Sequence, residues 1–237
     1  MNILAIDTSA LVLSVALAAK TGVFCTEIDG GPSHSELLME CVDSLCKMAG
    51  ISPSDLNLAS CMKGPGSFTG LRIGFSSAKG LAMALGIPMV AIPTLDCLAH
   101  PFTFWPGMVL PSIDAKKGRF FTAFYREGKR LTEYMDAAPE AIAAEAVKKQ
   151  NFSNEMVLLT GYGAVLLFPA LSSYFPPGQI RVSPDSRRGK ALELLEIAGS
   201  AILNGINDIA SGPVYIRKSD AEQDAGITGK TRHGGNV

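Results

Sequence analysis

One order of elements occurs twice in the 237 residues, and that repetition constrains the fold more than any single motif. Apolar runs bounded by Gly, Pro and polar residues predict strands over Asn2–Ile6, Leu11–Ala19 and Val23–Ile28. A helix opens at Pro32-Ser33, where Ser33 and Glu36 have the spacing of a capping box. Leu37, Leu38, Cys41, Val42, Leu45 and Met48 then recur at threes and fours until Gly50. Leu56–Met62 predicts a fourth strand, Phe68–Leu85 a second helix closed by Gly86, Ile87–Ile92 a fifth strand, and Pro93-Thr94 the start of a short helix toward His100. The order is βββαβαβα. A Pro- and aromatic-rich crossing, Pro101–Gly107, leads to its return. Strands are predicted over Met108–Ile113, Arg119–Tyr125 and Arg130–Met135, and a helix over Pro139–Gln150. A strand at Met156–Thr160, a helix at Ala164–Tyr174, a strand at Gln179–Val182 and a helix at Gly189–Leu203 complete the repeat.

Mixed sheets with helices on their faces account for this order. Two βββαβα units facing each other describe an α/β protein of the actin/hexokinase-like (ASKHA, ribonuclease H-like) class, each unit a mixed five-stranded sheet with helices. The divisions expected are an N-terminal actin-like domain over 1–100, a C-terminal one over 101–217, and a polar, flexible tail over 218–237. The two halves share little sequence identity, so the repeat is one of structure.

Charge and cysteine usage narrow the function classes. A net charge of −1 provides no electrostatic footprint for independent nucleic-acid binding. The five cysteines, Cys25, Cys41, Cys46, Cys61 and Cys97, form no CxxC pair and fall in apolar patterns, which suits reduced, buried thiols. Asp7 interrupts the N-terminal apolar run, and the longest such run, Leu11–Ala19, is far short of the ~20 residues of a membrane span. A soluble cytoplasmic protein is expected, with no membrane association.

The stretch Gly64-Pro65-Gly66-Ser67-Phe68-Thr69-Gly70-Leu71-Arg72-Ile73-Gly74 joins a strand to a helix, with Ser67 or Thr69 placed to cap the helix. Strand, glycine-rich turn and helix N-terminus suit either an anion site or a tight turn that brings strand and helix together. It is neither a Walker loop nor a GxGxxG fingerprint. Along the helix Gly70, Gly74, Ala78 and Ala82 form a stripe, flanked by Ser77, Gly80, Leu81 and Ala84. Glycine costs up to about 1 kcal/mol per helix position, so a close approach of another backbone is implied. Either the helix packs tightly on its own sheet, or it meets another subunit together with Leu37, Leu38, Cys41 and Leu45. Arg72 suits an anion or a surface ion pair.

The ordinary signatures of chemistry are sparse. His34, His100 and His233 have no metal-ligand spacing, and no GxSxG elbow occurs. His34 suits a capping or surface contact, and His100 a meeting with free carbonyls at a helix end. Asp7 and Asp114 close the first strand of each half. They either flank a metal-bound phosphate or simply terminate strands. Asp7, Thr8, Ser9, Gly66, Ser67, Asp114, Gly161 and Gly163 are the candidate nucleotide or anion loops of the cleft between the halves.

Ile3-Leu4-Ala5-Ile6-Asp7-Thr8-Ser9, His34-Ser35-Glu36, the Gly64–Gly74 stretch and Pro93-Thr94-Leu95 stand in the order seen in the TsaB (YeaZ) family, which the first hundred residues closely resemble. The second half resembles it more loosely, through Asp114-Ala115-Lys116, Gly161-Tyr162-Gly163 and Pro213-Val214-Tyr215-Ile216-Arg217. The resemblance implies a noncatalytic partner of TsaD in making threonylcarbamoyladenosine beside the anticodon of tRNAs that read codons beginning with adenine, with the ATPase TsaE joining the complex. It implies no catalytic residue, metal or cofactor of the chain's own, contact with tRNA through the complex, and a homodimer when the partner is absent. TsaD carries an HxxxH metal motif where this chain has Thr94 and Leu98, which cannot replace imidazole ligands. A second reading, resting on the cleft loops, is a stand-alone ATP-dependent small-molecule kinase of the actin-like fold.

Overall fold

A computed structural model of the chain describes residues 1–30, 34–149, 155–185 and 188–216. The first half holds β1 (Ile3–Asp7), β2 (Val12–Ala19), β3 (Gly22–Asp29), α1 (His34–Ala49), β4 (Leu58–Gly64), α2 (Phe68–Leu85), β5 (Met89–Pro93) and α3 (Thr94–Ala99). Its sheet runs β3-β2-β1-β4-β5, antiparallel between the first three strands and parallel from β1 through β5. The central β1 is buried along its whole length and is apolar up to Asp7, as suits a strand covered on both faces. The edge strand β3 is exposed at every second residue, Cys25 among them; the other four cysteines are buried. Cys25 therefore departs from the expected burial, because its side of β3 has no covering layer.

The second half holds β6 (Met108–Asp114), β7 (Phe120–Thr122), β8 (Tyr125–Arg126), β9 (Lys129–Arg130), β10 (Met135–Ala137), α4 (Pro139–Lys149), β11 (Val157–Thr160), α5 (Ala164–Ser172), β12 (Ile180–Val182) and α6 (Ala191–Leu203). Its main path, β10-β7-β6-β11-β12, repeats the topology of the first sheet, with β8 pairing β6 and β9 to bring the strands to seven. The class is the two-sheet α/β architecture expected, but the second sheet exceeds five strands. The strand expected over Arg119–Tyr125 breaks because Ala123 and Phe124 are both fully buried, which no period-two alternation allows. There the Phe124 amide donates to Thr132 Oγ1 at 3.1 Å instead of across the ladder. The strand expected over Arg130–Met135 likewise becomes β9 and β10.

The helices do not stay with their own sheets. On one face of the first sheet, Leu38, Val42 and Leu45 of α1 and Phe75, Ala78 and Ala82 of α2 pack on Leu4, Ile6, Leu13, Val15 and Leu17. The other face, Ile3, Ala5, Ala16, Leu58, Val90 and Ile92, is covered by Ala191, Leu194, Leu195, Ala198 and Ala201 of α6, from the end of the second repeat. Reciprocally, Leu95, Leu98 and Ala99 of α3 pack on Val109, Ile113 and Tyr125 of the second half. The final helix of each repeat is thus exchanged. Beyond α6 the chain returns along the free edge of β5. The Asp208 amide donates to the Met89 carbonyl at 2.7 Å, its carboxylate accepts from the Ala91 amide at 3.1 Å and from Lys63 Nζ at 2.8 Å, and an exposed edge is closed.

Ser33 of the expected capping box and the tail over 218–237 lie outside the described residues. Among the described residues, no helix is long and apolar enough to cross a membrane.

Candidate functional site

The candidate loops converge where β1 ends. Asp7 is fully buried, and its carboxylate is filled by the chain itself. Oδ1 accepts from the Ser9 amide at 2.9 Å and Ser9 Oγ at 2.6 Å; Oδ2 accepts from Tyr162 Oη at 2.6 Å and the Lys190 amide at 3.0 Å. Four donors match the roughly four lone-pair sites of a carboxylate. Two of them, Tyr162 and Lys190, come from the second repeat, so this acid ties the halves together. Burial and the adjacent Asp7 charge push the Tyr162 phenol well above the usual tyrosine range. Burial above all, and then Asp7, likewise raise the Cys97 thiol, whose Sγ lies 3.8 Å from the Lys190 carbonyl.

The glycine-rich turn sits directly on this knot. The Ser67 amide donates to the Ser9 carbonyl at 2.8 Å, Thr8 Oγ1 donates to the Gly70 carbonyl at 2.7 Å, and Ser67 Oγ caps α2 at the Gly70 amide, 3.3 Å away. A Cβ at Gly66 would lie 2.7 Å from the Ser9 carbonyl oxygen; one at Gly70 would collide with the Thr8 carbonyl, and one at Gly74 with Thr8 Oγ1. Residues 8 and 9 thus lie against the side of the turn where side chains on Gly66, Gly70 and Gly74 would project. The second repeat is built alike. The Gly163 amide donates to the Ser112 carbonyl at 2.8 Å, and a Cβ there would lie 2.8 Å from the Asp114 amide nitrogen. A Cβ at Gly161 would lie 2.8 Å from both Leu98 Cδ1 and the Ser112 carbonyl oxygen. Asp114 itself faces outward, with its carboxylate on the Lys116 amide at 2.7 Å and Lys116 Nζ at 2.8 Å. Asp7 and Asp114 thus each accept from the amide two residues on, closing a turn at the end of their strand.

The stripe expected to meet a partner faces inward. Gly70, Gly74, Ala78 and Ala82, with Leu38, Cys41 and Leu45, are buried in the chain's own core, and close packing on β1 is what the small residues permit. This corrects their reading as an outward surface. Leu37, Ser77 and Leu81 are half-buried at its margin, while Gly80 is exposed with nothing within 4 Å of an added Cβ. A pocket of about 360 Å³ opens at the head of the two helices, between Leu37 and His34 of α1 and Thr69, Gly70 and Ile73 of α2. His34 Nε2 contacts the Leu11 carbonyl oxygen at 3.1 Å, the surface contact expected. His100 instead faces Glu196 of α6 at 3.4 Å, not free carbonyls. Arg72 has no carboxylate partner among the described residues, against the expected ion pair; it stacks on Phe68. Thr94 and Leu98 are buried, and among the described residues no group of three His, Cys, Asp or Glu is placed to hold a metal.

Tyr162 and Lys190 escape a reading of motifs. The signal for Tyr162 was in the repeat itself: Gly161-Tyr162-Gly163 follows β11 as Gly64-Pro65-Gly66 follows β4, its counterpart.

Comparison with known proteins places this geometry. A model of the family described as TsaD, tRNA N6-adenosine threonylcarbamoyltransferase, matches residues 26–158. Among curated proteins, the tRNA threonylcarbamoyladenosine biosynthesis protein TsaB of Bacillus subtilis is 34% identical over 70% of this chain and 73% of its own. The chain belongs to the TsaB (YeaZ) family. TsaB of Escherichia coli is 33% identical over 69% of this chain and 73% of its own. Among solved structures, YeaZ from Pseudomonas aeruginosa superposes with a TM-score of 0.75 at 25% identity, covering 91% of this chain and 99% of that one. The TsaB likeness over nearly the whole described fold extends the resemblance carried by the first hundred residues.

Proposed function

We propose that the chain is a noncatalytic scaffold subunit in the synthesis of threonylcarbamoyladenosine on tRNA, docking TsaD and working with TsaE in the cytoplasm. Membership of the TsaB family supports the pathway. The observation that carries the noncatalytic role is the Asp7 carboxylate, whose acceptor positions are filled by Ser9, Tyr162 and Lys190. A group so engaged has no position left for a cation or a proton in transit. The docking face in this reading is the outer side of α1 and α2, with Leu37, Ser77 and Leu81 at its margin and Gly80 at its centre. An exposed glycine in mid-helix costs about 1 kcal/mol relative to Ala, and nothing within the described residues requires it; a partner helix approaching closely would. In the absence of TsaD the same face serves a homodimer, and tRNA is met through the complex.

Reconstitution tests both parts. Mixtures of TsaD, TsaE and the enzyme supplying the threonylcarbamoyl adenylate are expected to modify tRNA only when this chain is added. Gly80→Leu is expected to keep the fold and to weaken TsaD binding by at least tenfold. Asp7→Asn, in assemblies that still form, is expected to retain turnover. Full modification without the chain, or turnover lost in an intact Asp7→Asn assembly, overturns the reading.

A further inference from the structure

We propose that the outer edge of β3 joins two copies of this chain in antiparallel pairing, so that their first sheets become one continuous sheet. Ala19 and Gly22 face each other across the two-residue turn Lys20-Thr21, and the pair that closes such a turn is hydrogen-bonded. Bonding then alternates along the strand. Gly22, Phe24, Thr26 and Ile28 turn their amides and carbonyls to β2, and those of Val23, Cys25, Glu27 and Asp29 turn outward. The far side of the sheet agrees: the Ala59 amide donates to the Pro88 carbonyl at 3.2 Å, and the registers of β4, β1 and β2 carry the same phase across to β3. Among the described residues, none of these outward groups has a partner.

The other ends of the sheets are managed. The edge of β5 is closed by the Asp208 segment, and β10 and β12 have three residues each. By contrast β3 runs for eight residues with no Pro, no Lys and no bulge, the devices that ordinarily blunt an edge.

The strand itself selects a second copy as the occupant. A two-fold axis sets each outward donor of one copy against an outward acceptor of the other. Charge fixes the direction. Lys20 stands at the head of β3, and Glu27 and Asp29 at its foot. Glu27 meets Arg188 at 3.3 Å, whereas Lys20 and Asp29 have no oppositely charged partner among the described residues. Antiparallel pairing lays the basic end of each copy on the acidic end of the other; parallel pairing would set acid beside acid. Outward groups pair only with outward groups, so the axis passes at Cys25, with Val23 opposite Glu27, or at Thr26, with Cys25 opposite Glu27 and Val23 opposite Asp29. Neither register opposes like charges, and both bring the two Cys25 Cα atoms within about 10 Å of each other. This edge lies in the plane of the sheet, apart from the outer side of α1 and α2, and the inference does not rest on the docking proposed there.

The test uses the full chain, unaltered and as Gly80→Leu, whose α1/α2 face is closed to a second copy. Sedimentation of Gly80→Leu at rising concentration is expected to reach a dimer and stop, because two copies use up a two-fold contact. Val23 is 62% exposed, so its replacement disturbs no core. Adding Val23→Pro, which removes an outward donor, is expected to raise the dissociation constant about tenfold or more at an unchanged dichroism spectrum. Val23→Thr keeps the amide and is expected to keep the dimer. A nitroxide on Cys25, the exposed one of the five cysteines, is expected to show dipolar broadening in the unaltered chain. That broadening is expected to fade when the Cys25→Ser chain is mixed in, and the label decides the matter should Val23→Pro fail to fold. A Gly80→Leu chain that stays monomeric, a dimer indifferent to Val23→Pro, or labels without broadening overturns the inference and leaves the TsaD reading standing.

Discussion

A methyl group at Gly70 has nowhere to go, and one at Gly80 meets nothing. Both glycines belong to one helix and both lower its intrinsic stability, yet they answer different needs. Gly70→Ala is expected to destabilise the chain by roughly 1–3 kcal/mol or more, because the obstacle is the rigid Thr8 backbone. Gly80→Ala is expected to stabilise it by up to about 1 kcal/mol. Urea denaturation of both variants checks the contrast. The sequence announces that something approaches this helix closely; which body approaches depends on the sheet order, which no stripe of residues encodes. The repeat singles out the position of Tyr162, but not its partner, since the acceptor lies 155 positions away. Tyr162→Phe is expected to cost roughly 1–3 kcal/mol, by leaving a buried carboxylate short of a donor. Its phenol is held above its ordinary value of 10.0, so the folded state keeps a proton that the unfolded chain loses. That contribution is fully present below about pH 10 and fades as pH rises beyond it. The alkaline fall in stability is therefore expected to be shallower in Tyr162→Phe.

Among the elements, those with a long, consistent period were the ones legible from sequence. The helix over Phe68–Leu85 is legible at both ends, since Ser67 caps it and Gly86 ends it in the left-handed region at φ 66°. The short strands from β7 to β10 were not, because Ala123, Phe124 and Tyr125 are buried in succession and the pattern carries no strand period. The segment after α6 carries no helix or strand period, yet Asp208 anchors it to β4 and β5. Burial alone would raise the Asp208 carboxyl, but hydrogen bonds from Lys63 and the Ala91 amide outweigh it and hold the group below its ordinary value of 3.8. A depressed acid stabilises the fold above that value, and the contribution is lost as pH falls through the lower, folded one. Asp208→Asn is expected to remove this acid-side dependence and to expose the β5 edge, which hydrogen exchange at Met89 and Ala91 reads directly.

At the scale of the whole molecule, the repeat fixed the class of fold, and the partition of sheets between the two halves follows the sequence. The exchange of helices does not show in it, because α3 and α6 carry apolar stripes that fit either sheet. Two consequences are measurable. The chain is expected to unfold in one cooperative transition, with fluorescence of the single Trp105 and far-ultraviolet dichroism coinciding. A fragment ending at residue 100 is expected to lack fixed tertiary structure, since the apolar face of Ile3, Ala5, Leu58, Val90 and Ile92 has lost its cover; sharp, dispersed amide resonances from it would contradict this.

The exchanged α6 also sets a timetable for birth on the ribosome. The first sheet has all its strands once residue 93 has emerged, but the helix that covers its second face ends only at Leu203. At about 5–20 residues per second, translation leaves that face bare for roughly 5–20 s. A cell making this chain therefore handles, at every round of synthesis, a half-clad sheet that a folding helper can hold and a neighbouring nascent chain can capture.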